Sequence, residues 1–280
     1  MGGSQSEKAK EFRALHAGPG AFVIPNPWDA GSARLLELLE FAALATTSAG
    51  LAFSLGRRDG EGLVTREEVL THIRSIVAAS DLPVAGDLEN GFGDDASTVA
   101  ETIRLVAEAG LVGGSIEDAT GKADKPIYEF NHAVERVAAA VEAANALPFP
   151  FTLTGRAENF LHGRPDIDDT IRRLEAFAKV GAHVVYAPGL RNVEEIRIVC
   201  AAVSPTPVNA LVSAGGPTVA GFAAAGVRRV SLGSALARMA YSAFYSAANE
   251  IKEHGTFNFA AGGLSFSELN SFMRGRSNER

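Results

Sequence analysis

The chemistry this sequence can offer rests on carboxylates, one arginine and a set of small hydroxyl residues. Gly86-Asp87-Leu88-Glu89-Asn90-Gly91-Phe92-Gly93 follows one β-type run, Ser115-Ile116-Glu117-Asp118 the next, and Thr154-Gly155-Arg156-Ala157-Glu158-Asn159 the one after. Asp87 and Glu89 are two apart on an extended segment, so their side chains share a face, and Glu117 joins them from the neighbouring strand. A cysteine-free oxygen cluster of this kind suits Mg²⁺, which takes a few carboxylates and keeps waters for a substrate to replace. The competing reading pairs the same acids with Arg156 and nearby lysines, or uses them to cap helices. Arg156 offers a planar fork for a carboxylate or phosphonate. Its bland role is to neutralise Glu158 or Asp118. Thr46-Thr47-Ser48-Ala49-Gly50 adds hydroxyls and close backbone N–H groups suited to a substrate anion or an enolate oxygen.

Other chemistries find little support. The six histidines form no H-x-x-x-H pair. His16, His72, His132 and His254 fall in or near predicted helices and read as surface residues, whereas His162 follows a strand and stays a possible site residue. There is no G-x-S-x-G, and Cys200, the only cysteine, lies in a predicted helix as a buried thiol. One cysteine allows no intrachain disulfide and fits a reducing cytoplasm. With 26 basic against 33 acidic residues the net charge is −7, which argues against nucleic-acid and anionic-membrane partners. The N-terminus has no apolar signal region, and no apolar run reaches the roughly 18 residues that span a bilayer. A cytoplasmic location is expected.

The elements that must position these residues recur regularly. Strand candidates cover 21–26, 43–48, 83–88, 113–117, 151–155, 183–187, 207–211 and 229–232. Helical apolar spacing follows at 32–40, 66–79, 97–109, 130–144, 168–180, 193–202, 218–225 and 234–253. Eight strand-then-helix units predict a (β/α)8 TIM barrel in the α/β class, a fold of typically about 250 residues in which polar residues at strand C-termini build the site. A doubly wound open sheet would place a Gly-rich fingerprint after its first strand, but Pro25-Asn26-Pro27-Trp28-Asp29 stands there. Residues 1–280 are expected to form one barrel domain, with extra helices at the N-terminus (8–16) and the C-terminus (265–274).

Taken together, these motifs resemble the isocitrate lyase/phosphoenolpyruvate mutase superfamily, from about Val23 to Ala243. The matches are Leu55-Gly56-Arg57-Arg58-Asp59, Asp87 to Gly93 (similar to D-A-D-T-G-F/Y-G), Ile116-Glu117-Asp118, and Gly155-Arg156-Ala157-Glu158-Asn159 (similar to A-R-x-[DE]-A). The resemblance implies Mg²⁺-dependent chemistry on a small 2-oxocarboxylate through an enolate. Asp87 would be the principal metal anchor, with Asp59, Glu89 and Glu117 holding metal waters. Arg156 would take the substrate carboxylate, and Thr47, Ser48 and Ala49 would complete the oxyanion pocket. It also implies a homo-oligomer, dimer or tetramer, whose C-terminal helices from about 234 exchange between subunits.

Departures from the family pattern bear on the reaction. The lyases carry K-[KR]-C-G-H after strand four, with a catalytic cysteine. Here the segment 117–128 is short and has no cysteine, which argues against isocitrate cleavage by that route and points to the phosphonomutase-like branch. The mutase asparagine on this loop is missing too, and Tyr186-Ala187-Pro188-Gly189 lacks the strand-six residues of either group. Lys122 or Lys125 is then the candidate acid or anion clamp. The expected function is cleavage or rearrangement of a C–C or P–C bond. The alternative is a protein that binds or senses oxo-acids without turnover. Schiff-base aldolase chemistry ranks low because no lysine stands at a predicted strand end.

Overall fold

The computed structural model describes residues 3–274 of the chain, so the outermost residues of the expected 1–280 domain lie outside the described residues. Eight parallel strands lie in one sheet: β1 (Phe22–Ile24), β2 (Leu44–Ala45), β3 (Val84–Asp87), β4 (Gly113–Glu117), β5 (Thr152–Arg156), β6 (Val184–Tyr186), β7 (Val208–Leu211) and β8 (Arg229–Ser231). They pair in the order β1-β8-β7-β6-β5-β4-β3-β2. The remaining seam, between β1 and β2, is bridged by the Ala45 N–H to Pro25 O bond (3.1 Å). Asn26 holds the same corner, its Nδ2 donating to Thr46 O (3.0 Å) while its Oδ1 accepts from the Leu232 and Gly233 amides (both 2.9 Å). This is the expected (β/α)8 TIM barrel.

The helices are α1 (Gln5–Ala17), α2 (Ala30–Leu38), α3 (Ser48–Ser54), α4 (Arg66–Ala79), α5 (Ala96–Glu108), α6 (Phe130–Asn145), α7 (Ile167–Lys179), α8 (Val193–Ala202), α9 (Val219–Ala224), α10 (Ala235–His254) and α11 (Phe266–Phe272). Helices α4 and α8 fall where periodicity put them, and Thr65 with Glu68 closes a capping box at the start of α4. One helix was not foreseen. The second strand, expected through Ser48, ends at Ala45 because the Thr47 hydroxyl accepts the Gly50 N–H (3.2 Å) and caps α3.

Register carries function into place. Pairing sets Asp87 opposite Ser115, Glu117 opposite Arg156, and Arg156 opposite Tyr186. Alternate residues of a strand share a face, so one row of inward side chains runs around the mouth of the barrel.

Helix α1 closes the other end. Phe12 is fully buried with Ala9, Ile24 and Ala85, and a Cβ on Gly113 would come within 2.7 Å of its ring. Arg13 donates to Phe151 O (2.6 Å) and Thr152 Oγ1 (3.1 Å), tying the helix to β5. His16, read from sequence as a surface residue, is buried in this plug. Its Nδ1–H donates to Phe12 O (2.8 Å) and its ring meets Phe12 and Phe22 edge-on. Helix α10 behaves differently, with Met239, Phe244 and Tyr245 about seven-tenths exposed. Among the described residues no helix is long and apolar enough to cross a membrane.

Burial first, and the nearby Arg229 charge next, hold His16 down at about 3, and burial brings His183 to about 4. Both are neutral in the fold and take a proton near 6.5 when unfolded. The unfolded state therefore binds more protons below that pH, so stability is complete above about 6.5 and falls on acidification, by up to about 1.4 kcal/mol per pH unit per group. Urea unfolding from pH 7 to pH 4 should show this slope, and His16→Gln should flatten it.

Candidate active site at the strand C-termini

Three strand ends and two loops bring the expected residues together. Arg156 Nη1 lies 3.3 Å from Asp87 Oδ1 and 3.2 Å from Glu117 Oε2, and its Nε donates to Glu158 Oε1. The guanidinium also lies 5.2 Å from the centre of the Tyr186 ring. Asp87 is fixed from a third side, its Oδ2 accepting the Ser48 N–H (3.1 Å), while its own N–H donates to Thr46 Oγ1 (3.0 Å). Both sequence readings of these acids meet here, because they converge as a potential cation site and also pair with Arg156. Asp118, the other suggested partner of Arg156, turns away: it accepts the Glu158 N–H (2.8 Å) and pairs with Arg173 (3.0 Å).

Glu89 reaches the cluster by an unexpected path. Strand β3 ends at Asp87, Leu88 points into the core, and Glu89 takes a left-handed backbone (φ 47°), which costs a side chain on the order of 1 kcal/mol. The turn is held by Arg136 of α6. Its guanidinium donates to Gly93 O (2.7 Å), Asp94 O and Asn90 O, and stacks 4.2 Å from the Tyr128 ring centre.

The charges are unbalanced. Burial, then Asp87 and Asp59, push Glu89 up to about 7. Desolvation at the mouth and the neighbouring Asp87 raise Asp59, against the Ser48 hydroxyl. Burial, the largest influence, and the neighbouring Glu158, Asp87 and Glu89 hold Glu117 well above its ordinary value against the Arg156 charge. For Arg156 burial acts downward, yet Glu158, Glu117 and Asp87 together hold it well above its ordinary value. One guanidinium thus faces five carboxylates, Asp59, Asp87, Glu89, Glu117 and Glu158. Among the described residues no three His, Cys, Asp or Glu side chains already form a metal-binding set. The surplus of hard oxygen donors nevertheless fits a divalent cation such as Mg²⁺, with Asp87, Glu89, Glu117 and Asp59 the residues that would hold it.

The acid wall divides two spaces. Outside is a vestibule of about 810 Å³ bordered by Glu89, Glu117, Lys122 and His162. Inside is a chamber of about 210 Å³, entered past Thr47, Ser48, Ala49, Asp59, Asp87 and Arg156. Lys122 stays at the rim, its Nζ on Asp94 Oδ2 (2.6 Å), rather than reaching the cluster. Its segment closes into a hairpin through Thr120 N to Pro126 O (2.9 Å) and Tyr128 N to Asp118 O (2.8 Å). His162 lies 3.9 Å from Glu158.

The profile of the phosphoenolpyruvate phosphomutase family matches residues 12–252 of this chain. The chain belongs to that family. By type it is an enzyme of the isocitrate lyase/phosphoenolpyruvate mutase superfamily. It superposes with a TM-score of 0.93 on a Burkholderia cenocepacia J2315 protein provisionally described as a lyase/mutase, 56% identical over 97% of each chain. A structure of oxaloacetate acetylhydrolase with its product oxalate is 25% identical, with a TM-score of 0.87 over 96% of this chain and 94% of that one. The 2-methylisocitrate lyase of Bacillus subtilis (strain 168) is 30% identical over 203 residues, which cover 69% of this chain and 64% of the lyase, just under two thirds of its length.

Within this family framework, sequence reasoning found the acids and Arg156 but missed the residues that hold them. Asn26 and Tyr186 stand at strand ends where the barrel rule would have picked them up. Arg136 looked like any helix arginine. Replacing Arg156 with Met removes the central cation and leaves its acids buried. In metal-free protein this should cost about 3 kcal/mol or more at pH 8. The stranded carboxyls then keep protons in the fold that they lose on unfolding, so stability should fall more steeply with rising pH than in the unsubstituted protein, as read by urea unfolding at pH 6 and pH 8.

Proposed function

We propose that this enzyme cleaves or rearranges a C–C or P–C bond of a small 2-oxocarboxylate in a Mg²⁺-dependent reaction. The observation that carries the reading is the crowd of buried carboxylates around a single guanidinium at the barrel mouth, the end where barrel enzymes place their chemistry. The named activities of the relatives, acting on methylisocitrate and oxaloacetate, agree with it.

The chain's own residues divide the work. Arg156 presents its guanidinium to the chamber and takes the substrate carboxylate, while Glu158 and Tyr186 fix its plane. Thr47, Ser48 and Ala49 line the wall beside Asp87, and the Ser48 amide and hydroxyl orient Asp87 and Asp59 for cation and substrate. When bound, Mg²⁺ would supply Lewis-acid stabilisation of the negative charge that grows on the substrate oxygen. Lys122, held by Asp94, is demoted from candidate acid to rim residue. His162, beside Glu158 and facing the vestibule, is better placed to move a proton.

The hairpin at 118–128, closed and without cysteine, also favours the second reading, an oxo-acid binder without turnover. A thermal-shift and turnover series decides. Oxalate should raise the melting temperature only with Mg²⁺, and Asp87→Asn should abolish the rise. No Mg²⁺-dependent rise rejects the proposal. Binding without loss of oxaloacetate, methylisocitrate or phosphonopyruvate leaves the binder. Lys122→Ala should keep turnover within about twofold, since its amine is engaged at the rim.

The exposed apolar residues of α10 are proposed to pack against a second copy of the chain. Sedimentation should give a dimer or tetramer, and Phe244→Glu with Tyr245→Glu should shift it toward monomer.

A further inference from the structure

The inner chamber does not stop at the catalytic row. It continues down the barrel axis to Thr154, Asn209 and Arg229, near the end that α1 closes. Barrel interiors are ordinarily filled by layers of bulky branched side chains. Here the lining includes Ala45, Ala85, Ser115 and Thr154, short side chains that leave space beside the larger Ile24 and Leu211. The volume of about 210 Å³ corresponds to several waters at about 30 Å³ each, or to a short carbon chain ending in a carboxylate.

At the floor lies a cation that pairs with no anion among the described residues. Arg229 is 7% exposed. Its Nε donates to Asn209 Oδ1 (2.8 Å), its Nη2 to Thr154 Oγ1 (3.0 Å), and its Nη1 lies 3.3 Å from His16 Nε2. All three partners are neutral: burial and the Arg229 charge itself keep His16 unprotonated, and with Nδ1–H donating to Phe12 O its Nε2 is left as an acceptor. A guanidinium has five N–H donors, so two remain beyond these bonds. Buried charges are normally paired with opposite charge. Burial lowers Arg229 only to about 10, which leaves it charged at neutral pH. Asn209 is itself braced, its Nδ2 donating to Ser231 Oγ (2.9 Å), so the fork is held in one orientation.

We propose that Arg229 is the floor of a second anion subsite inside the barrel, which takes the distal carboxylate of an oxo-dicarboxylic acid whose 2-oxo-acid head lies at Arg156. This rests on the reading of the chamber mouth as an oxo-acid site. It makes Arg229 a specificity-determining residue. A ligand with an apolar tail would leave the guanidinium buried and unpaired, whereas a carboxylate tail neutralises it with charge-assisted bonds.

Isothermal titration with Mg²⁺ present tests this with acids that differ only in the tail, oxaloacetate against 2-oxobutyrate and 2-oxoglutarate against 2-oxovalerate, and with oxalate, which has none. The unsubstituted protein should prefer the dicarboxylate of at least one pair by tenfold or more. Arg229→Gln should reduce that preference below threefold and leave oxalate affinity within twofold. Should Arg229→Gln fail to fold, Ala85→Val narrows the shaft without touching the guanidinium and should erase the same preference. Oxalate binding with no preference in either pair, or a preference that survives both substitutions, overturns the subsite alone. A variant that weakens oxalate and both members of a pair equally also overturns it, since that is the mark of a structural role. No binding of any acid, with or without Mg²⁺, overturns the subsite and the proposed function together.

Discussion

Everything at the mouth of this barrel is arranged around the Arg156 guanidinium. Strand pairing fixes Glu117 beside it, β3 brings Asp87, and Glu158, two residues further along the chain, takes its Nε. Removing two opposite charges from water costs several kcal/mol per ion, and only close pairing offsets that. Arg156 therefore needs its acids, but the acids outnumber it. The surplus, felt most by Glu89 and Glu117, is a standing electrostatic strain. A site built only for stability would have matched the charges, and this imbalance is what supports the proposed cation site.

The scaffold holds that imbalance by bracing it from outside. Asp118 and Arg173, both buried, tie β4 to α7 and to the carbonyl of Tyr128 (3.0 Å). Arg136 ties α6 to the loop after β3. Asn26 ties β1 to β2 and β8. The Arg173 and Arg136 bonds lie outside the chamber and the Asn26 bonds at its wall, and each fixes a segment that carries a site residue. The left-handed turn at Glu89 persists only because such bonds over-determine it.

The barrel and its acids were legible from sequence because their signals are local. A strand is an apolar run, a helix is a period, and a carboxylate just past a strand lies at the site by the rule of the fold. What was not legible depended on distant partners. Thr47 looked like a free hydroxyl until its bond to the Gly50 amide made it a helix cap. His16 looked exposed because a helix pattern does not say that its helix plugs a barrel. Arg229, at the start of β8, carries no mark in sequence that its side chain points along the axis rather than out to water. Lys122 was drawn inward by elimination, whereas Asp94, 28 residues earlier, holds it at the rim.

The closed hairpin and the open shaft bear on each other. Enzymes that discriminate by loop closure need a segment with two arrangements. Residues 118–128 are instead pinned by backbone bonds at both ends of the hairpin, and Thr120 Oγ1 donates to Lys125 O (2.6 Å) across it. With little selection available from that loop, discrimination falls to what lies below the reacting centre, where short side chains leave room and a guanidinium waits without a counter-charge. Rigid walls suit that task. A fixed depth between Arg156 and Arg229 measures the length of a ligand, and a buried unpaired donor penalises the wrong end group more strongly than any apolar pocket penalises a surplus methylene.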